Sequence, residues 1–183
     1  MRLTEEEQLE LIRVAREAIT THSTTGNKQV LPPFPSEKFE LHCGAFVSIY
    51  VEGDLRGCIG TFSEEHTLYQ NIRDMAVSAA TTDSRFKPLT LSELDRFQLE
   101  ISVLSPRKRI FDTSEIVIGK HGIFMRKGAN RGTLLPQVAK SQGWSVGELL
   151  GNCARYKAGI GWDGWQTAEL YTYEATVFRS DNL

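Results

Sequence analysis

The chain is poor in cysteine and holds no close pair of them. Cys43, Cys58 and Cys153 are an odd set at wide spacings in 183 residues. No Cys-x-x-Cys exists, so neither a disulfide framework nor a cysteine-built zinc site is expected, and no metal site is assigned. In a reducing compartment all three are free thiols. A run of 18 apolar residues is also missing, which excludes a helical membrane span. The opening Met1-Arg2-Leu3-Thr4-Glu5-Glu6-Glu7 is acidic and lacks an apolar signal region, so residence in the cytoplasm is expected. There is no basic excess: a net charge of −2 argues against a dedicated nucleic-acid binder, though not against a local basic patch. Walker A, GxGxxG, GxSxG and HExxH patterns are absent, so no nucleotide-binding fold, serine hydrolase, zincin or bound cofactor is suggested.

What is present suffices for a core: 40% of residues are hydrophobic and 24% charged. The length fits one domain over 1–183, or one domain of two lobes at about 1–106 and 107–183. Thr4-x-x-Glu7 is a capping box, and Leu11, Val14, Ala15, Ala18 and Ile19 form an apolar stripe, predicting a helix over 4–21. Residues 22–42, with Pro32, Pro33 and Pro35, read as an irregular structural crossing. Strands are expected at 44–51 and 55–61 around a turn at 52–54, with Gly57 and Gly60 marking a bulge or bend. A helix over 64–81 follows, capped by Ser63. Thr90-x-x-Glu93 opens a short helical turn, and alternation from Phe97 to Ser105 gives a half-buried strand.

The second half reads as a hairpin of 115–119 and 122–126 through Lys120-His121, then a turn at 127–132. A helix starts near Pro136, a second runs from the Ser145-x-x-Glu148 cap to about Tyr156, and one last strand runs through Tyr171, Tyr173, Ala175 and Val177. Both halves are strands–helix–strand, with Arg56-Gly57 and Arg131-Gly132 loosely equivalent. The expected fold is α+β: an antiparallel sheet with helices packed on one side, weakly duplicated in one compact body.

Leu55-Arg56-Gly57-Cys58-Ile59-Gly60-Thr61 concentrates a thiol, a guanidinium, a hydroxyl and two glycines. The glycines either take positive φ or admit another group closely. Cys58 is either a nucleophile or redox thiol, or a small buried residue in a tight hairpin. A nucleophile needs a base, and four histidines exist: His22, His42, His66 and His121. His121, between Gly119 and Gly122, is the best partner if the halves face each other; otherwise it is an exposed turn residue. Arg56 and Arg85 can each grip a carboxylate or phosphate in a fork. Arg85 equally fits a salt bridge to Asp83 or Asp95. Gln137, in the first turn of a helix, either offers its amide to a substrate or caps. Gly57, Gly60 and Thr61 complete the substrate side.

The LRGCIGT stretch resembles the signature of the AMME-chromosomal-region (AMMECR) domain family. Gly44-Ala45-Phe46-Val47, Asp83-Ser84-Arg85-Phe86, Ile101-Ser102-Val103-Leu104-Ser105-Pro106, Gly119-Lys120-His121-Gly122, Leu134-Leu135-Pro136-Gln137-Val138-Ala139, Cys153 and Lys157-Ala158-Gly159 follow in the family's order. The resemblance implies duplicated β-rich and helical units, and association with MEMO-type and radical-SAM proteins in one pathway. It attaches no firm reaction. Three classes of function stay open: a small-molecule enzyme using Cys58, a non-catalytic binding or adaptor domain, and a nucleic-acid-associated protein in RNA modification or regulation.

Overall fold

A computed structural model describes residues 2–33 and 36–182; Met1 and Pro35, used above, lie outside them. The fold is α+β, with two four-stranded antiparallel sheets and helices. The chain divides into two compact units, Arg2–Leu104 with Thr176–Leu183, and Ser105–Ala175.

The first unit opens with α1 (Glu5–Thr25). Thr4 and Glu7 close the expected capping box, but the helix runs four residues beyond 21, until Gly26 stops it in the left-handed conformation. The crossing that follows is packed rather than loose: Phe39, in a 3-10 turn at Glu37–Glu40, is fully buried and stacks on Tyr69 at 5.3 Å. β1 (Ala45–Val51) and β2 (Asp54–Thr61) form a hairpin through Glu52-Gly53, both at positive φ, the turn whose twist suits a two-residue hairpin. α2 (Leu68–Thr81) starts four residues later than expected, because Thr67 and Gln70 make the capping box while Ser63 serves the preceding turn. After the Thr90–Glu93 box, β3 (Phe97–Leu104) pairs with β1 on the side away from β2. β8 (Ala175–Arg179) completes the order β2-β1-β3-β8. One face of the sheet carries Val47, Ile49, Leu99 and Ile101, all fully buried, as are Leu11, Ile19, Leu68 and Ile72 of the two helices.

The second unit begins with β4 (Lys108–Ile110). The expected strand at 115–119 does not form: a 3-10 turn holds Thr113–Glu115, and Lys120 and His121 turn back onto the Val117 carbonyl. β5 (Gly122–Lys127) instead pairs with β6 (Asn130–Leu134), so the segment expected as a turn is largely strand. α3 (Pro136–Gln142) and α4 (Val146–Asn152) follow, and a π-helical segment, Cys153–Ala158, extends α4 to Gly159. β7 (Glu169–Tyr173) returns beside β5, giving the order β4-β7-β5-β6. The expected single last strand is two strands in two sheets. It breaks at Glu174, whose N–H and C=O go to the Ser105 hydroxyl and N–H, at 2.9 and 2.8 Å.

Each unit therefore contains a hairpin, a helical segment and a third strand returning to the hairpin's first strand. In both, the second hairpin strand carries a glycine tight against a later helical segment, α2 in the first unit and Cys153–Ala158 in the second. A Cβ at Gly57 would overlap the Ala79 carbonyl oxygen, and one at Gly132 would overlap the Ala158 backbone nitrogen.

Candidate functional site

β2 is the edge of the first sheet, and its pairing is interrupted once. Ile49 faces Gly57 and Tyr50 faces Leu55, so Arg56 is an extra residue with no partner on β1. The bulge expected from the glycines thus sits at Arg56, and Gly60 pairs regularly with Phe46. Gly57 and Gly60 are there for close approach. Neither has positive φ, and the space above Gly60 is filled by the Phe46 ring.

The register builds a row across the sheet face away from α2. Cys58 lies opposite Ser48 on β1, and Ser48 lies opposite Glu100 on β3. Directly opposed side chains on one face are neighbours. Ser48 is 9% exposed and donates its hydroxyl to the Cys58 sulfur at 3.1 Å. Tyr50, one step along the same face, has its pKa raised by burial and then by Glu100, with a smaller contribution from Cys58. The Arg179 guanidinium lies 5.0 Å from the Tyr50 ring and 3.9 Å from the Glu100 carboxylate.

The backbone of Cys58 is held from outside the sheet. Its N–H donates to Asp83 Oδ2 at 2.8 Å, and its carbonyl accepts from Arg85 Nη2 at 3.0 Å. Asp83 and Arg85 also pair with each other, through Nε at 2.9 Å and Nη2 at 2.7 Å. The Arg85 guanidinium, with the Cys58 N–H second, holds the Asp83 carboxyl well below the usual carboxylate range. Of the two salt-bridge partners considered for Arg85, the structure places Asp83. Arg85 is nonetheless exposed, and it holds Asp83 and the Cys58 carbonyl through Nε and Nη2, not Nη1.

Arg56 differs. Nε and Nη2 fork onto Glu93 at 2.8 and 3.1 Å, and Nη1 donates to the Lys87 carbonyl at 3.1 Å. All three nitrogens are committed inside the unit. Thr61 accepts the Ser63 N–H on its hydroxyl at 3.0 Å.

His121 and Gln137 belong to the other unit. His121 Nδ1 accepts the Val117 N–H at 3.2 Å, which puts any neutral-ring proton on Nε2, 3.8 Å from Glu174. Gln137 is exposed in the first turn of α3. Cys43 and Cys153 are buried core residues whose thiols are each pushed up to about 12 by burial. Cys58 is the one free cysteine that is not fully buried.

Sequence reasoning overlooked Ser48, Glu100 and Glu93. The first two had only a partial signal: a two-residue turn at 52–53 aligns 48 with 57 in a regular register, and the bulge at Arg56 is what moves Cys58 opposite Ser48. Among the described residues, no group of three or more His, Cys, Asp or Glu is arranged to hold a metal, and no helix is long and apolar enough to cross a membrane.

The profile of the AMMECR1 family matches residues 12–178. Protein MK0488 of Methanopyrus kandleri is 38% identical to this chain, covering 98% of it and 91% of its own length. Protein NEQ441 of Nanoarchaeum equitans is 34% identical, over 94% of this chain and its own full length. Among solved structures, the uncharacterized protein PH0010 from Pyrococcus horikoshii matches with a TM-score of 0.79 at 30% identity, covering 98% of this chain and 94% of that one.

Proposed function

This chain belongs to the AMMECR1 family, and on that premise we propose that its first unit performs thiol-dependent group transfer on a small anionic substrate, with Cys58 as the nucleophile. The supporting observation is the row Cys58–Ser48–Glu100, which sets a hydroxyl on the sulfur and a carboxylate next in register. In this reading the Cys58 sulfur attacks an acyl carbon. An S–C bond forms, and the bond to the leaving group breaks with its electron pair. The Ser48 hydroxyl turns from donor to acceptor on the sulfur, takes the thiol proton and gives its own to Glu100, which passes it to the leaving group. Arg85, through Nη1, grips the substrate's negative charge. The chemistry calls for no metal or cofactor. A cytoplasmic setting beside MEMO-type and radical-SAM proteins belongs to the same proposal, as the family resemblance implies it.

The test uses p-nitrophenyl acetate and its anionic counterpart, p-nitrophenyl hemisuccinate. The expected result is a burst of p-nitrophenolate with one acyl group per chain on Cys58, slowed about tenfold or more by Glu100→Gln. The hemisuccinate should react faster than the acetate, and Arg85→Gln should remove that preference. No burst above that of Cys58→Ala, in protein shown to be folded by circular dichroism, would overturn the nucleophile and leave the binding-domain reading.

A further inference from the structure

The second unit holds a cleft of about 210 Å³ that the Cys58 chemistry does not use. It opens where β4 ends and the 3-10 segment Trp162–Thr167 leads into β7. Its floor is apolar: Ile110 is buried, and its register partner Leu170 packs on the unit's core. Two rings line it. Trp165 packs against the core, while Phe111 is 87% exposed.

The charges at the mouth are unbalanced. Glu169 is engaged from two sides, by Arg126 Nη2 at 2.6 Å and by the Tyr171 hydroxyl at 3.2 Å. Arg109 stands 3.7 Å from the other Glu169 oxygen, too far for a hydrogen bond, and is half exposed. The Arg126 and Tyr171 contacts both fall on Oε2, so Arg126 holds one carboxylate oxygen while Arg109 stands by the other without a hydrogen bond. Two guanidiniums beside one carboxylate leave net positive charge, and Arg109 lies 5.1 Å from the Phe111 ring. The wider unit has the same sign: residues 105–175 carry ten Lys and Arg against six Asp and Glu.

We infer that this cleft binds a small planar aromatic anion. The ring lies on Ile110 and Leu170 beside Trp165 and Phe111, and its carboxylate or phosphate is held by Arg109. The aromatic lining selects a flat ring, the guanidinium selects an anion, and a volume below the ~300–1,000 Å³ of drug-sized pockets limits the ligand to one ring system with one charged group. The site is independent of Cys58, so the thiol proposal and this one stand or fall separately.

The test follows the Trp165 indole N–H in ¹⁵N-labelled protein, assigned with Trp165→Phe. Indole-3-carboxylate and the neutral indole-3-carboxamide serve as probes. The carboxylate should shift this resonance saturably, and the carboxamide should bind about fivefold more weakly or worse. Arg109→Gln should abolish the difference between the probes, and Phe111→Ser should weaken both alike. Both altered residues are exposed, so the fold should survive, as a thermal melt will show. If neither probe moves the resonance up to about 10 mM, the cleft is not a site of this kind. If both bind equally and Arg109→Gln changes nothing, recognition of an anion is overturned.

Discussion

The β1–β2 and β5–β6 hairpins follow one plan as far as the backbone goes, and part company at the side chains. In each, a glycine of the second strand lets a helical segment approach within contact of the strand. The residue after that glycine is Cys58 in one hairpin and Thr133 in the other. Thr133 donates its hydroxyl to the Ile123 carbonyl at 2.8 Å and shares a second hydrogen bond with Tyr173. Its capacity is used up internally. Cys58 receives the Ser48 hydroxyl on its sulfur, and its strand is fastened by Asp83 and Arg85. The residue before the glycine diverges as well: Arg56 is locked to Glu93, whereas Arg131 is exposed. Charge separates the units further, since the first has seventeen Asp and Glu against eleven Lys and Arg, the reverse of the second. The duplicated part is thus the glycine–helix contact, which the fold needs. The positions around it differ: a closed hydrogen-bond network at Thr133, and a thiol–hydroxyl–carboxylate row at Cys58.

The comparison breaks first at the glycines. Gly57→Ala and Gly132→Ala should each cost about 3 kcal/mol, because the added methyl meets backbone that cannot step aside. Urea melts of the two variants would show it, and a cost for one without the other would end the equivalence. Next comes the Arg56–Glu93 fork, about 2 kcal/mol for charge-assisted hydrogen bonds with both partners mostly buried. The Arg56 guanidinium lowers the Glu93 pKa from 4.5 to about 2. A carboxyl depressed by folding stabilises above its unfolded value and loses that contribution as pH falls toward its folded one. Wild-type stability should therefore decline between pH 4.5 and 2, with a shallower decline for Arg56→Gln. Thr133→Val should cost about 1 kcal/mol in the second unit and leave Cys58 reactivity unchanged. The smallest effect is kinetic. Iodoacetamide should label Cys58 in the folded protein and spare Cys43 and Cys153. Ser48→Ala should alter that rate by about two- to fivefold with little change in melting.

Local signals in the sequence were legible where they were short and self-contained. The Thr4–Glu7 and Ser145–Glu148 boxes, the Phe97–Leu104 alternation and the β1–β2 hairpin all form within a few residues of where they were expected. Failures came where a distant partner decides. Asn130-Arg131-Gly132 has poor strand propensity and is strand because β5 pairs with it and a helical segment needs the glycine's space. The run Ile116-Val117-Ile118 looked like a strand, yet only Ile116 is buried, and Val117 is half exposed. α2 begins at the Thr67-x-x-Gln70 box and not at Ser63, a signal that is itself local and present in the chain. Cys58 stands out in the sequence by its neighbours, but the row that surrounds it could not be read without the register.

The Asp83–Arg85 loop has one more consequence. An exposed sheet edge is a template on which any passing strand can add, and a glycine-rich, mildly apolar edge such as β2 is open to that. At Cys58 both outward-pointing peptide groups are already taken by a carboxylate and a guanidinium. A two-residue reach of side chains thus does there what a further strand would do. It closes the border of the sheet against self-association while leaving the thiol, which projects from the sheet face and not from its rim, uncovered.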